Sequence, residues 1–270
     1  MISENLRSIY NEESDIWGHP QQYKGINIYP IKIQETKMKD LFYEIFCVPK
    51  RYIQDVEILR MSYLKFIINM GITANKEKPE IFFDKLIAFF SYITKVDKEK
   101  ITIGYSGVDY RNVKWHIMLD EIKITETDFE NIREIVLVQN GLSLRFVEDY
   151  DPDLEKKLML KNKTSGAMTL KDQVFVFCSL LNKTLSEIEE YTLFQFKHQF
   201  MRMTAIQEYI LYKPLEASGQ IKFTDGSKIK SYFSVSENVG RYDDILIHKE
   251  TFMKKSALMN DQMVEQSKSK

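Results

Sequence analysis

Apolar positions along the first 140 residues recur with two different periods, and the switches between periods mark out the elements. Ile26–Ile33 alternates apolar and polar positions, which places Ile26, Ile28, Ile31 and Ile33 as strand material. Pro30 removes a ladder donor, so this stretch predicts an edge strand or two short pieces. Met38–Val48 then predicts a helix stopped by Pro49. Val56, Leu59, Tyr63, Phe66, Ile67 and Met70 recur at helical spacing across Asp55–Met70, with Gly71 as the C-cap. Glu80–Lys95 is apolar around so much of its circumference that it predicts burial on more than one side. Ile101–Tyr105 and Val113–Leu119 read as strands joined by a turn over Ser106–Asp109, and Ile122 with Ile124 as a third. The next helix buries Phe129, Ile132, Ile135 and Val136. Thr127 and Glu130 fit a capping box at its start, and Asn140-Gly141 ends it.

Beyond it the pattern becomes purely helical. Asp151 before Pro152 is placed to cap a short helix over Leu154–Leu160, followed by a loop-like stretch, Asn162–Gly166. Val174–Leu181 is strongly apolar and is broken by Asn182-Lys183. Thr184 with Glu187 and Thr192 with Gln195 are two further capping boxes. The second opens a long helix carrying Leu193, Phe196, Phe200, Met203 and Ile210 on one stripe, punctuated at its end by Pro214 and Gly219. Ile221–Phe223 is a short extended piece, and the chain from about Ser256 is polar.

These elements predict an α+β fold, mainly helical, with a small antiparallel sheet in the N-terminal half and a helical C-terminal block. The predicted organisation is a polar leader over 1–24, an α+β domain over 25–147, a linker over 148–168, a helical domain over 169–218, and an extended segment and flexible tail over 219–270. In the helical block one stripe can pack on Val174–Leu181. Phe194 and Tyr209 lie off that stripe, which makes them the predicted partner-binding residues. The competing reading is that every one of these side chains is intradomain core.

Composition narrows the function classes. Lys and Arg total 38 against 39 Asp and Glu, a formal net charge of −1, so no broad nucleic-acid footprint is expected. A hydrophobic fraction of 44% suffices for a packed core. No apolar run reaches the roughly 18–20 residues of a membrane span. The polar, acidic start has no positive region leading into an apolar run, so no secretory signal is expected and the predicted location is the cytoplasm. Trp17 stands out in that start as a large apolar group in a stretch with little core of its own. Cys47 and Cys178 sit in apolar contexts and read as small core residues, without excluding a disulfide between them.

Candidate chemistry does not assemble. Asp149, Asp151 and Asp153 have the opening spacing of a calcium loop, but Leu154 and Leu160 stand where it needs a glycine and a bidentate glutamate. His19, His116, His198 and His248 are scattered, with no partner at zinc-ligand spacing. Phosphate-cradling glycine loops and the Gly-x-Ser-x-Gly elbow are missing from the sequence. The residues therefore predict no cofactor, no metal and no catalysis. A nucleophile and base brought together from distant positions would escape this reading.

Taken as an ordered series, several segments resemble one family. They are the strand at Ile26–Ile33, the Ser62–Phe66 helix, Asp128–Asn140, Asp151–Lys157, and the helix running into Glu216–Phe223. The resemblance is to tail- and baseplate-module assembly proteins, chaperone-like, of phages that infect Gram-positive bacteria. It implies a non-catalytic tail or baseplate assembly factor that binds another virion protein, a tape-measure protein or baseplate subunit, in the host cytoplasm. A minor structural component of the tail or baseplate, located in the virion, is the alternative it leaves open.

Overall fold

A computed structural model describes residues 2–219 except 54, 108–112 and 163–168. The chain divides into two units: Met1–Tyr150 with Met168–Val235, and Asp151–Ala167 with Ser236–Lys270. The fold is α+β, mainly helical, with small antiparallel sheets in the N-terminal half and a helical C-terminal region.

The first unit begins with a segment packed into the core. Ile2, Leu6 and Tyr10 follow one another at helical spacing and are all buried. Ser3 donates to the Glu134 carboxylate through both its amide and its hydroxyl, at 2.5 and 2.7 Å. Helix α1 (Glu12–Trp17) follows, then the two-stranded hairpin β1 (Gln21–Tyr23) and β2 (Ile26–Ile28). Lys24 and Gly25 turn that hairpin with positive φ at both positions, 48° and 78°, as a tight primed turn requires. The predicted polar leader over 1–24 is therefore corrected: charged residues mask a periodic apolar face.

The strand expected over Ile26–Ile33 splits after Ile28. Residues 31–33 instead reach the C-terminal block, where Leu193 N–H donates to Ile31 O at 2.9 Å and Ile33 N–H to Tyr191 O at 2.8 Å. Helix α2 (Thr36–Phe46) starts two residues before the predicted one. The helix expected over Asp55–Met70 is two helices, α3 (Val56–Arg60) and α4 (Tyr63–Ala74). Ser62 breaks the run by accepting the Lys65 amide as an N-cap. Gly71 lies inside α4 rather than capping it. A Cβ there would come within 2.1 Å of the Phe82 ring, so the glycine sets how closely α4 approaches α5 (Glu80–Thr94).

Strands β3 (Ile101–Ser106), β4 (Lys114–Leu119) and β5 (Ile122–Ile124) form an antiparallel meander, with Ile103 opposite Ile117 and Ile117 opposite Ile124. The turn predicted over Ser106–Asp109 lies partly outside the described residues. Helix α6 (Glu126–Gln139) opens on a capping box of Thr125 and Asp128, two residues before the predicted Thr127 and Glu130. Glu130 instead accepts the Tyr63 amide at 3.1 Å. A short helix, α7 (Leu144–Glu148), closes this half.

The large core lies between these layers. Phe129 stacks on Phe46 with ring centroids 5.4 Å apart and planes 9° from parallel, and Phe89 and Phe90 pack around them. Arg133 is buried among these groups. Its guanidinium lies 3.4 Å from the Tyr63 ring centroid, its Nε donates to Phe46 O, and it pairs with Glu148 at 2.6 Å.

In the second unit, α8 (Pro152–Asn162) is capped as expected, with the Asp151 carboxylate accepting the amides of Asp153 and Leu154. The first unit resumes with α9 (Leu170–Leu181), α10 (Leu185–Glu189) and α11 (Leu193–Ala217). These helices share a small core of Phe177, Ile188, Phe196 and Met203, completed by Ile33 from the N-terminal half. The predicted separate helical domain over 169–218 is corrected accordingly, because it takes an isoleucine and two backbone hydrogen bonds from residues 31–33. The extended piece at Ile221–Phe223, His248 and the tail lie outside the described residues.

Candidate docking surface on the C-terminal helices

Three threonine-capped starts place the helices of this block. Thr169 with Asp172 opens α9, Thr184 with Glu187 opens α10, and Thr192 with Gln195 opens α11. Asn182 ends α9 in the left-handed conformation, which asparagine tolerates better than most residues. Gln195 does a second job by donating to Ile16 O at 2.8 Å, which fastens α11 to the end of α1.

The lengths of these helices decide what is covered. At roughly 1.5 Å per residue, α9 is about 18 Å long and α11 about 37 Å. Phe196 and Met203 are buried against Phe177, Val174 and their neighbours. After Met203 no described residue of α11 is buried, although the segment includes Ile206, Tyr209, Ile210, Leu211, Tyr212 and Leu215. Ile206 and Ile210 lie on the same side of the helix as Met203, so the apolar stripe continues while its cover stops. Ile210, expected to pack inward, is 60% exposed, and so is Leu211.

Where α9 ends, Leu180 and Leu181 face Met203 and Ile206 across an open groove of about 390 Å³. His198, Gln199, Arg202 and Gln207 supply its polar rim. Leu180 is half exposed, and Phe175 and Leu185 continue the apolar surface on α9 and α10. Just past the groove, Lys213 pairs with Glu216 at 2.7 Å, and that hydrogen bond pushes the lysine pKa up. The groove thus has apolar walls with amide and cationic groups at its rim.

Phe194 and Tyr209, the predicted partner-binding residues, are both half-buried. Phe194 lies against the His198 imidazole, with ring centroids 4.0 Å apart, and so borders the groove. Tyr209 is about 22 Å farther along the helix axis, so the two do not share one small site. Ile206, Ile210, Leu211, Leu180 and Leu181 are the exposed apolar residues that the sequence reading missed. Comparing the two helix lengths would have found those on α11.

Among the described residues no group of three or more His, Cys, Asp or Glu is placed to hold a metal ion, and no helix is long and apolar enough to cross a membrane. Cys47 and Cys178 form no disulfide, and both are half-buried.

Residues 161–237 match the family model described as YomV second domain, a phage-associated family. The described part of that match includes α9, α10 and α11, of which α9 and α11 line the groove. The similarity spans under a third of the chain and supports a phage protein without specifying tail or baseplate. No curated protein and no solved structure matches the chain.

Proposed function

We propose that this protein is a non-catalytic assembly factor of a phage tail or baseplate, working in the host cytoplasm. Its groove between α9 and α11 takes an amphipathic helix of another virion protein, with a tape-measure protein as the favoured partner. One observation carries this reading: inside the phage-associated segment, the apolar stripe of α11 runs on through Ile206 and Ile210 after its intramolecular cover has ended. A long helical virion protein awaiting assembly presents the complementary apolar stripe, and such grooves read helices through anchors three and four residues apart.

The test is deletion of the gene from its phage, followed by electron microscopy of the particles. Defective or absent tails are expected, together with co-purification of the protein with a tail protein from infected cells and its absence from finished particles. Detection in purified particles by mass spectrometry would make it a structural component instead. Normal tails from the deletion phage would defeat the proposal.

A further inference from the structure

The three-stranded sheet has an outer face that neither the core nor the docking groove uses. Side chains alternate across it, so Ile101, Ile117, Leu119 and Ile124 point into the core. The opposite face carries Thr102, Gly104 and Ser106 on β3, Lys114, His116 and Met118 on β4, and Lys123 on β5. Gly104 pairs with His116, and a Cβ at Gly104 would stand 2.8 Å from His116 Nε2, so the imidazole lies across bare backbone.

Because β5 pairs only with residues 117–119, the first half of β4 has no neighbouring strand on that side. The start of α6 closes the gap, and the Glu126 carboxylate accepts the Trp115 amide at 2.9 Å. What remains open is a cleft of about 360 Å³ lined by Ser106, Lys114, His116, Lys123, Thr125 and Thr127. Glu126 also lines it, with its carboxylate engaged on the strand.

The charges in this cleft are unbalanced. Lys114 and Lys123 are exposed, and neither ammonium has an ion pair or hydrogen bond among the described residues. His116 Nδ1 is buried without a partner among the described residues, while its ring lines the cleft. Burial, reinforced by the nearby Lys123 charge, holds the imidazole below its usual pKa, so at neutral pH it offers a hydrogen bond rather than a charge. Two lysines, an imidazole, the Thr127 hydroxyl and the first turn of a 14-residue helix thus line one cleft from three elements, while the Thr125 hydroxyl is committed to Asp128.

We propose that this cleft binds a phosphoryl group, either free phosphate or the head of a small phosphomonoester. Two ammonium point charges match a dianion, and donors arriving from several directions suit a tetrahedral group. A planar carboxylate would be better served by an arginine fork, and no arginine lines the cleft among the described residues.

The test is an NMR titration of the full chain with inorganic phosphate, sodium acetate or sodium chloride at matched ionic strength, following the His116 ring and the amides of Lys123 and Thr127. Phosphate should give a saturable shift at all three positions and chloride none. The double variant K114A/K123A, whose exposed side chains leave the melting temperature in place, should bind about tenfold more weakly. Glycerol phosphate titrated alongside separates the sources: tighter binding than phosphate assigns the cleft to an organic phosphate, weaker binding to the free ion. The proposal is overturned by the absence of a saturable phosphate shift, by a shift that K114A/K123A retains in full, or by acetate matching phosphate.

Discussion

Helices α6 and α11 show that burial follows neighbours more than composition. Nine of the 14 residues of α6 are buried, including the charged Asp128, Arg133 and Glu134. Of the 25 residues in α11, only Phe196 and Met203 are buried, although that helix is the richer in apolar side chains. Helix α6 is packed by α2, α4, α7 and the sheet, so even its charges are enclosed, and each finds a partner. Glu134 takes two hydrogen bonds from Ser3, Arg133 meets Phe46 O and Glu148, and Asp128 meets Lys24 at 2.7 Å and the Tyr23 hydroxyl at 2.8 Å. Helix α11 meets α1 and α9 over its first half and then outruns them. A buried charge with partners therefore marks the centre of this fold, and an exposed isoleucine marks the end of its cover.

Truncation in the two aromatic cores should perturb this protein most. Phe129→Ala should cost about 3–5 kcal/mol and lower the melting temperature of the whole first unit. Phe177→Ala, in the smaller cluster, should cost less because fewer buried groups surround the cavity. Calorimetry on both variants decides the matter, and a larger loss for Phe177→Ala would reverse the ranking of the two cores.

A smaller effect tests whether the enclosed charges of α6 are supported by their partners. Burial alone would raise the Asp128 pKa. Hydrogen bonds from Lys24, the Thr125 hydroxyl and amide, and Tyr23 outweigh it and hold the carboxyl at about 2. A folded-state pKa below the unfolded value of roughly 3.9 contributes stability that is present above that value and lost as pH falls toward 2. Asp128→Asn should therefore cost about 1–3 kcal/mol at neutral pH, and its deficit should shrink below about pH 4. Denaturant melts of both proteins across that range would show it. A deficit independent of pH would mean that the pair does not stabilise the fold.

On α11 a substitution past the end of its cover should leave stability almost unchanged. Ile210→Asp should change stability by no more than about 0.5 kcal/mol, as for an exposed side chain, while abolishing partner capture. Phe194→Asp and Tyr209→Asp, at half-buried positions, should each lower the melting temperature as well. Partner binding that survives Ile210→Asp at an unchanged melting temperature would place the docking surface elsewhere.

The sequence showed most of this fold where local rules dominate. The helical stripes of α5 and α6, the meander of Ile101–Ile124 and two of the threonine caps in the C-terminal block follow from spacing alone. Errors arose where two local signals competed. Ser62 divides a continuous apolar run because its hydroxyl caps a new helix, and Gly71 looks like a stop but serves a close helix crossing. At the start of α6, Thr125 and Asp128 form the capping box because strand β5 ends one residue earlier, which strands a pair two residues downstream inside the helix. Ile2, Leu6 and Tyr10 were hidden among acids although they sit four residues apart. The candidate surface was legible only in part: the stripe on α11 and its excess length over α9 follow from the sequence, but the packing of those two helices on each other does not. The basic cleft is formed by strand register, which brings Lys114, His116 and Lys123 together from segments with no motif of their own.

Residues 31–33 set a timetable for the chain. Ile31 enters the large core and Ile33 the small one, and their backbone bonds close onto Tyr191 and Leu193. On a ribosome adding roughly 5–20 residues each second, that partner segment emerges on the order of ten to thirty seconds after the isoleucines. Until then Ile33 has no pocket, and the Ile16 carbonyl waits for Gln195. Helix α11 and residues 31–33 thus reach their final form together, so neither is complete until both have been made.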